Sequence, residues 1–175
     1  MIDLKKYVKV VLYAYPTLKT IGEEYAIHIS NKALLSYKSQ KPAEELVEYL
    51  AKEIIYKQRL EWLKGFLEGI MDKLDDTEKA LLRLRYFSPC KNRKKEIQKE
   101  NAEVYTAIAT WTDSSYFRRQ NKLAKKIGNM IENAGFSEEI YQKDFAFIDI
   151  LQCVARFLDR GGEGKLQEKE RLENK

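Results

Sequence analysis

Ser114 and Ser115 follow directly on Thr112-Asp113 and Arg118 comes three residues later, and their side chains are hydroxyls and a forked guanidinium. Short hydroxyls and a rigid fork of donors are the groups that can reach base edges in the major groove of a duplex. Arg119, Lys122, Lys125 and Lys126 follow, so the stretch is both basic and rich in hydrogen-bonding groups. The chemistry this pattern suits is binding rather than bond-breaking: charged contacts to phosphates and polar contacts to bases.

Such groups act together only if one element holds them on a common side. Read as a helix, the segment from Thr112 places Tyr116, Gln120, Leu123, Ile127 and Ile131 along one side, because residues three and four apart share a face. Arg118, Lys122 and Lys125 then fall on another side. Thr112 stands where a capping hydroxyl is wanted, and Asp113 suits the positive end of the helix dipole. The spacing predicts a capped helix with an apolar seam and a basic outer face. The competing reading is an ordinary surface helix whose lysines are solvated.

Charge is unevenly placed. The segment 91–126 holds ten basic residues against four acids, which exceeds the whole chain's net +5. Lys91, Arg93, Lys94, Lys95 and Lys99 form its first half, and all the excess positive charge lies in this one segment. A concentrated basic segment is the electrostatic footprint of a surface that meets phosphates. Catalysis is disfavoured, because there is no phosphate-gripping glycine loop or metal-ligand cluster, and the lone His28 leaves no Ser-His-Asp set. His28 reads as a structural histidine, and Cys90 and Cys153 lack the spacing of a zinc site or disulfide framework. No cofactor is expected. No apolar run approaches the roughly 20 residues of a membrane span, and a cytoplasmic location is expected.

Along the chain the periodicity is helical. Leu4, Tyr7, Val8, Val11, Leu12 and Tyr15 predict a short first helix stopped by Pro16. Leu18, Ile21, Tyr25 and Ile29 predict a second, although Tyr25 to Ile29 can also be read as a strand. A polar loop over 36–42 leads into a long helix over 43–73, with Leu46, Leu50, Ile54, Leu60, Leu63, Leu67, Ile70 and Leu74 along one face. Asp75 and Glu78 have capping-box spacing and start a new helix that Ser88-Pro89 closes. A basic loop then runs into a helix whose buried contacts come from Val104, Ile108 and Trp111. Asn133-Ala134-Gly135 ends the Thr112 helix, and Ser137 caps a final one over 138–158 with Ile140, Tyr141, Phe147, Ile148, Leu151, Val154, Ala155 and Leu158 as its apolar stripe. The stripes at Leu46 to Leu74 and Ile140 to Leu158 allow a homodimer.

The run Leu74-Asp75-Asp76-Thr77-Glu78-Lys79-Ala80-Leu81-Leu82-Arg83-Leu84-Arg85-Tyr86-Phe87 resembles the opening of the fourth region of bacterial sigma factors. Thr112-Asp113-Ser114-Ser115-Tyr116-Phe117-Arg118-Arg119 is similar to the start of that region's recognition helix, and Thr110 stands where the family's connecting turn usually has glycine. The combination also resembles late-transcription regulators of phages of Gram-positive bacteria, of the autolysin-regulator type. The resemblance covers about 74–131 and implies a helix-turn-helix unit there; with the periodicity, the expectation is an all-α protein with a long central helix leading into that unit and a C-terminal amphipathic helix. The expected divisions are 1–73, 74–134, 135–160 and a charged tail 161–175. It implies double-stranded DNA as ligand and RNA polymerase as partner, with Ser114, Ser115, Arg118, Arg119 and Lys122 toward DNA and Lys125 and Lys126 nearer phosphates. Tyr116, Leu123 and Ile127 would then seat the helix against Leu81, Leu84 and Trp111. The alternative is a helical adaptor that binds another protein and no DNA.

Overall fold

A computed structural model describes residues 4–36, 43–87 and 102–161. The described residues are all helical in their regular structure, with no strand among them. The elements are α1 (Lys6–Ser36), α2 (Ala43–Met71), α3 (Asp76–Leu82) continued by a π turn (Arg83–Phe87), α4 (Ala102–Ala109), α5 (Asp113–Asn133), α6 (Glu138–Asp144) and α7 (Asp149–Asp159). The expected basic loop with Arg93, Lys94 and Lys95, the Ser88-Pro89 stop and the tail from 162 onward lie outside the described residues. None of the described helices is long and apolar enough to cross a membrane.

The chain divides into two compact units, residues 1–14 with 69–175, and residues 15–68. The second unit consists of the longer parts of α1 and α2. Leu18, Leu60, Leu63 and Leu67 are buried, and His28 Nε2 lies 2.7 Å from the Tyr49 hydroxyl, tying the two helices by a polar contact. The strand alternative for Tyr25 to Ile29 is thereby settled as helix.

Pro16 does not end the first helix; α1 runs through it without interruption. A mid-helix proline forfeits one hydrogen bond and crowds the preceding turn, at about 3 kcal/mol. Here Val10, Val11 and Ala14 before it and Leu18 after it share one side of the helix and are all buried. Each fully buried large aliphatic contributes roughly 1.5–3 kcal/mol, so keeping the face in phase across the proline outweighs the local penalty.

In the first unit α3 packs on both α4 and α5. Its start is a complete capping box: the Glu78 N–H donates to Asp75 Oδ1 at 2.8 Å, and the Asp75 N–H to Glu78 Oε2 at 3.2 Å. Leu4, just before α1, approaches α5 at Gly128; a Cβ there would lie 3.1 Å from a Leu4 methyl, so the absent side chain permits the approach. In α4 the buried positions are Tyr105 and Ile108; of the three expected contacts Ile108 is buried, while Val104 and, in the turn after the helix, Trp111 are half-buried.

The end of α5 is a Schellman arrangement. The Phe136 N–H donates to the Ile131 carbonyl at 3.2 Å and the Gly135 N–H to the Glu132 carbonyl at 2.9 Å, with Gly135 at φ 86°. No atom lies within 4 Å of where a Gly135 Cβ would stand, so substitution meets only the left-handed backbone cost. Gly135→Ala is expected to destabilise the protein by about 1–2 kcal/mol in denaturant unfolding; an unchanged midpoint would refute that reading of the turn.

The expected single helix over 138–158 is two helices. Ser137 caps α6, accepting from the Ile140 N–H at 3.4 Å. The chain breaks at 145–148, where the Phe145 and Ala146 N–H groups both donate to the Tyr141 carbonyl at 2.9 Å. No glycine or proline marks this break. It buries Phe145 and Ile148 together, with Phe145 edge-on to Phe136 at 5.4 Å. Ile140, expected in the stripe, is exposed, and Leu151 is the one fully buried residue of α7. Gly161, at φ 72°, lies just past the end of α7, as the glycine-rich stretch after Arg160 predicts.

Candidate nucleic-acid interface

Three residues, Thr110, Trp111 and Thr112, join α4 to α5. The Thr110 N–H donates to the Ala107 carbonyl at 3.2 Å and the Trp111 N–H to the Ile108 carbonyl at 3.1 Å, so the last turn of α4 tightens before the chain reverses into α5. No non-glycine residue among those described has positive φ. Thr110 therefore fits where the resemblance expects glycine, because this turn does not visit the left-handed region.

Thr112 caps α5 as its position predicts. Its backbone is extended, its Oγ1 accepts from the Ser115 N–H at 3.3 Å, and its carbonyl accepts the first helical bond from the Tyr116 N–H at 2.9 Å. The seam is also as spaced: Gln120, Leu123, Ile127 and Ile131 are buried together with Ala124, while Tyr116 is half-buried. The exception to an apolar seam is Gln120, only 3% exposed. Its Nε2 donates to the Leu81 carbonyl at 3.0 Å and to the Tyr116 hydroxyl at 3.1 Å, so a buried amide is satisfied and α5 is pinned to the backbone of α3. Leu81 lies two residues ahead of the π turn, where the regular ladder of α3 gives way.

Opposite this seam, Ser114, Arg118, Lys122 and Lys125 form an exposed row at spacings of four, four and three. Asn129 extends the same row by one turn and was not among the sequence candidates; its spacing of seven from Lys122 is the signal that could have found it. No acidic residue stands between Asp113 and Glu132, and Glu132 is engaged by Lys5 Nζ at 2.8 Å. The row thus presents positive charge without an intervening carboxylate on its own helix.

The remaining candidates sit at the flanks. Ser115 is half-buried, with its N–H committed to the cap. Arg119 is exposed, but its guanidinium lies over the Trp111 ring, 4.3 Å from the centroid, which orients it along the α4–α5 turn. Trp111 accordingly supports an arginine at the rim of the face in addition to any packing beneath it. Lys126 is bound to Glu78, with Nζ 2.6 and 2.8 Å from its two carboxylate oxygens. Glu78 is the same residue that closes the α3 capping box, so the N-terminus of α3 and the flank of α5 share one carboxylate. The structure thus brings Ser114, Arg118, Lys122 and Lys125 together in one row, with Arg119 beside it and Lys126 held to α3.

A separate open cleft of about 280 Å³ lies in the same unit, lined by Tyr7, Tyr141, Gln142, Gln152 and Arg156 among others. Burial pushes the Tyr141 hydroxyl up to about 12, and Arg156 donates to Gln152 Oε1 at 3.2 Å. None of the α5 row lines this cleft. Among the described residues no group of His, Cys, Asp or Glu is placed to hold a metal ion.

The fold and the α5 face define an all-α protein with a capped, basic, outward-facing helix. No family model, curated protein or solved structure matches the chain.

Proposed function

We propose that the chain is a sequence-specific DNA-binding regulator of transcription, in which α4 and α5 act as a helix-turn-helix and α5 enters the major groove. The observation that carries this reading is the exposed row Ser114, Arg118, Lys122 and Lys125, opposite the buried seam from Gln120 to Ile131 on the same helix. The three-residue turn from α4 and the packing of α3 against both helices support it, since a reading helix must be held rigidly by its neighbours. Ser114 and Arg118, near the N-terminus of α5, would read base edges, and Lys122 and Lys125 would neutralise phosphates. The resemblance to the fourth sigma region and to phage late-transcription activators adds RNA polymerase as the protein partner.

Binding of the whole chain to duplex DNA should weaken steeply as salt rises, because each neutralised phosphate releases counterions. Arg118→Ala combined with Arg119→Ala is expected to reduce affinity by about tenfold or more at moderate salt. Lys126→Ala should cost less, because Glu78 already holds that charge. Fluorescence anisotropy with duplexes recovered by selection from random sequence measures all three. Unchanged affinity in the double variant, or affinity flat with salt, would remove this reading in favour of a helical adaptor that does not touch DNA.

A further inference from the structure

Helix α2 is apolar on two opposite sides. Leu60, Leu63 and Leu67 line one and are buried within the chain. On the other, Val47, Ala51, Ile54, Gln58, Trp62 and Gly65 recur at steps of four, three, four, four and three, and all are exposed. Val47 is 65% exposed, Ile54 41% and Trp62 52%, with Ile55 beside them at 45%. Amphipathic surface helices have one apolar stripe, and a helix apolar all round is one that is covered on all sides. Large apolar side chains gathered on one exposed helix face are the kind of surface that marks an interaction site.

From Ala51 to Gly65 the row is symmetric in pattern about Gln58, large residues near the centre and small ones further out. Ile54 and Trp62 lie four residues to either side, and Ala51 and Gly65 seven to either side. Reversing the helix direction maps this part of the row onto itself and sets Val47 opposite Gly69. A helix of the same sequence laid antiparallel, related by a twofold axis at Gln58, sets each Trp62 beside an Ile54 and each Gly65 beside an Ala51, where the backbones can approach closely. A Cβ at Gly65 would meet nothing within 4 Å, so the space for that approach is open. The Gln58 amide is both donor and acceptor and can pair with its own copy on the axis. A homodimer brings like charges together, but Lys57 with Glu61 at 2.7 Å and Lys64 with Glu68 at 2.8 Å are paired within the helix, which lessens that repulsion. A parallel arrangement would instead set Trp62 against Trp62 and leave Gly65 facing Gly65.

We propose that α2 docks antiparallel against α2 of a second copy of this chain through this row. Of the Leu46 to Leu74 stripe that the sequence suggests for dimerisation, this face keeps only Ile54, because the residues of that stripe from Leu60 onward are buried inside the chain. The proposal stands on α2 alone and is independent of DNA binding.

Sedimentation equilibrium of the full chain across the micromolar range tests it, together with cross-linking in a Cys90→Ala, Cys153→Ala background. Wild type should associate to a dimer. Ile54→Glu should weaken association at least tenfold with an unchanged far-ultraviolet circular dichroism spectrum, since Ile54 is exposed. Under mild oxidation Gln58→Cys should form a disulfide-linked dimer, as should Ala51→Cys with Gly65→Cys, whereas Ala51→Cys alone should not. A monomer at all concentrations, an Ile54→Glu dimer of wild-type affinity, or self-linking of Ala51→Cys as fast as that of Gln58→Cys would each overturn the proposal.

Discussion

Phe136→Ala is expected to lower the stability of the first unit by about 3–5 kcal/mol, the range for removing a buried aromatic ring. Three structures meet at this side chain. It is the apolar residue after Gly135 in the turn that ends α5, alongside the fully buried Ile131. Its ring lies 5.4 Å from that of Phe145, at the break between α6 and α7, and 6.0 Å from that of Tyr7 near the start of α1. Its carbonyl also accepts from the Tyr7 hydroxyl at 3.3 Å. Truncation leaves a cavity that the surrounding helices cannot all close, because they approach it from different parts of the chain. Denaturant unfolding followed by circular dichroism measures the loss. A loss below about 1 kcal/mol would mean that the α5 turn is not the hub of this unit.

Gln120→Leu should cost about 2 kcal/mol although it replaces a buried polar side chain with an apolar one of similar size. The substitution removes the buried amide's hydrogen bonds to the Leu81 carbonyl and the Tyr116 hydroxyl, and loss of a buried polar partner costs more than the apolar replacement regains. Because Gln120 is on the seated side of α5, Ser114, Arg118, Lys122 and Lys125 remain exposed on the opposite side. Any DNA affinity measured well below the melting temperature should therefore stay within about twofold of wild type. The pair of measurements separates how the helix is held from what it presents. Unaltered stability in Gln120→Leu would show that the amide contributes nothing to the seat.

Much of the candidate site was legible because its determinants are local. Thr112 and the Ser115 N–H are three residues apart, as are Asp75 and Glu78, and these caps form within a single turn. The spacing of Leu123, Ile127 and Ile131 places them on one side of any helix that contains them, and the basic row follows on the other by geometry alone. What the sequence could not show is which long side chains find distant partners. Lys126 reaches Glu78 across 48 positions and Gln120 reaches Leu81 across 39, so neither pairing leaves a periodic trace.

The sequence by itself determined that the described chain is helical, where several helices are capped, and that α5 has a buried side and a basic side, because propensity, capping and the 3.6-residue period act within a few residues. Tertiary structure alone decided that α1 continues through Pro16, that the chain breaks between Asp144 and Asp149, and that Arg119 leans on Trp111 while Lys126 is held by Glu78. In these cases burial, charge pairing or ring contact beyond a single helical turn outweighed a local preference of no more than a few kcal/mol.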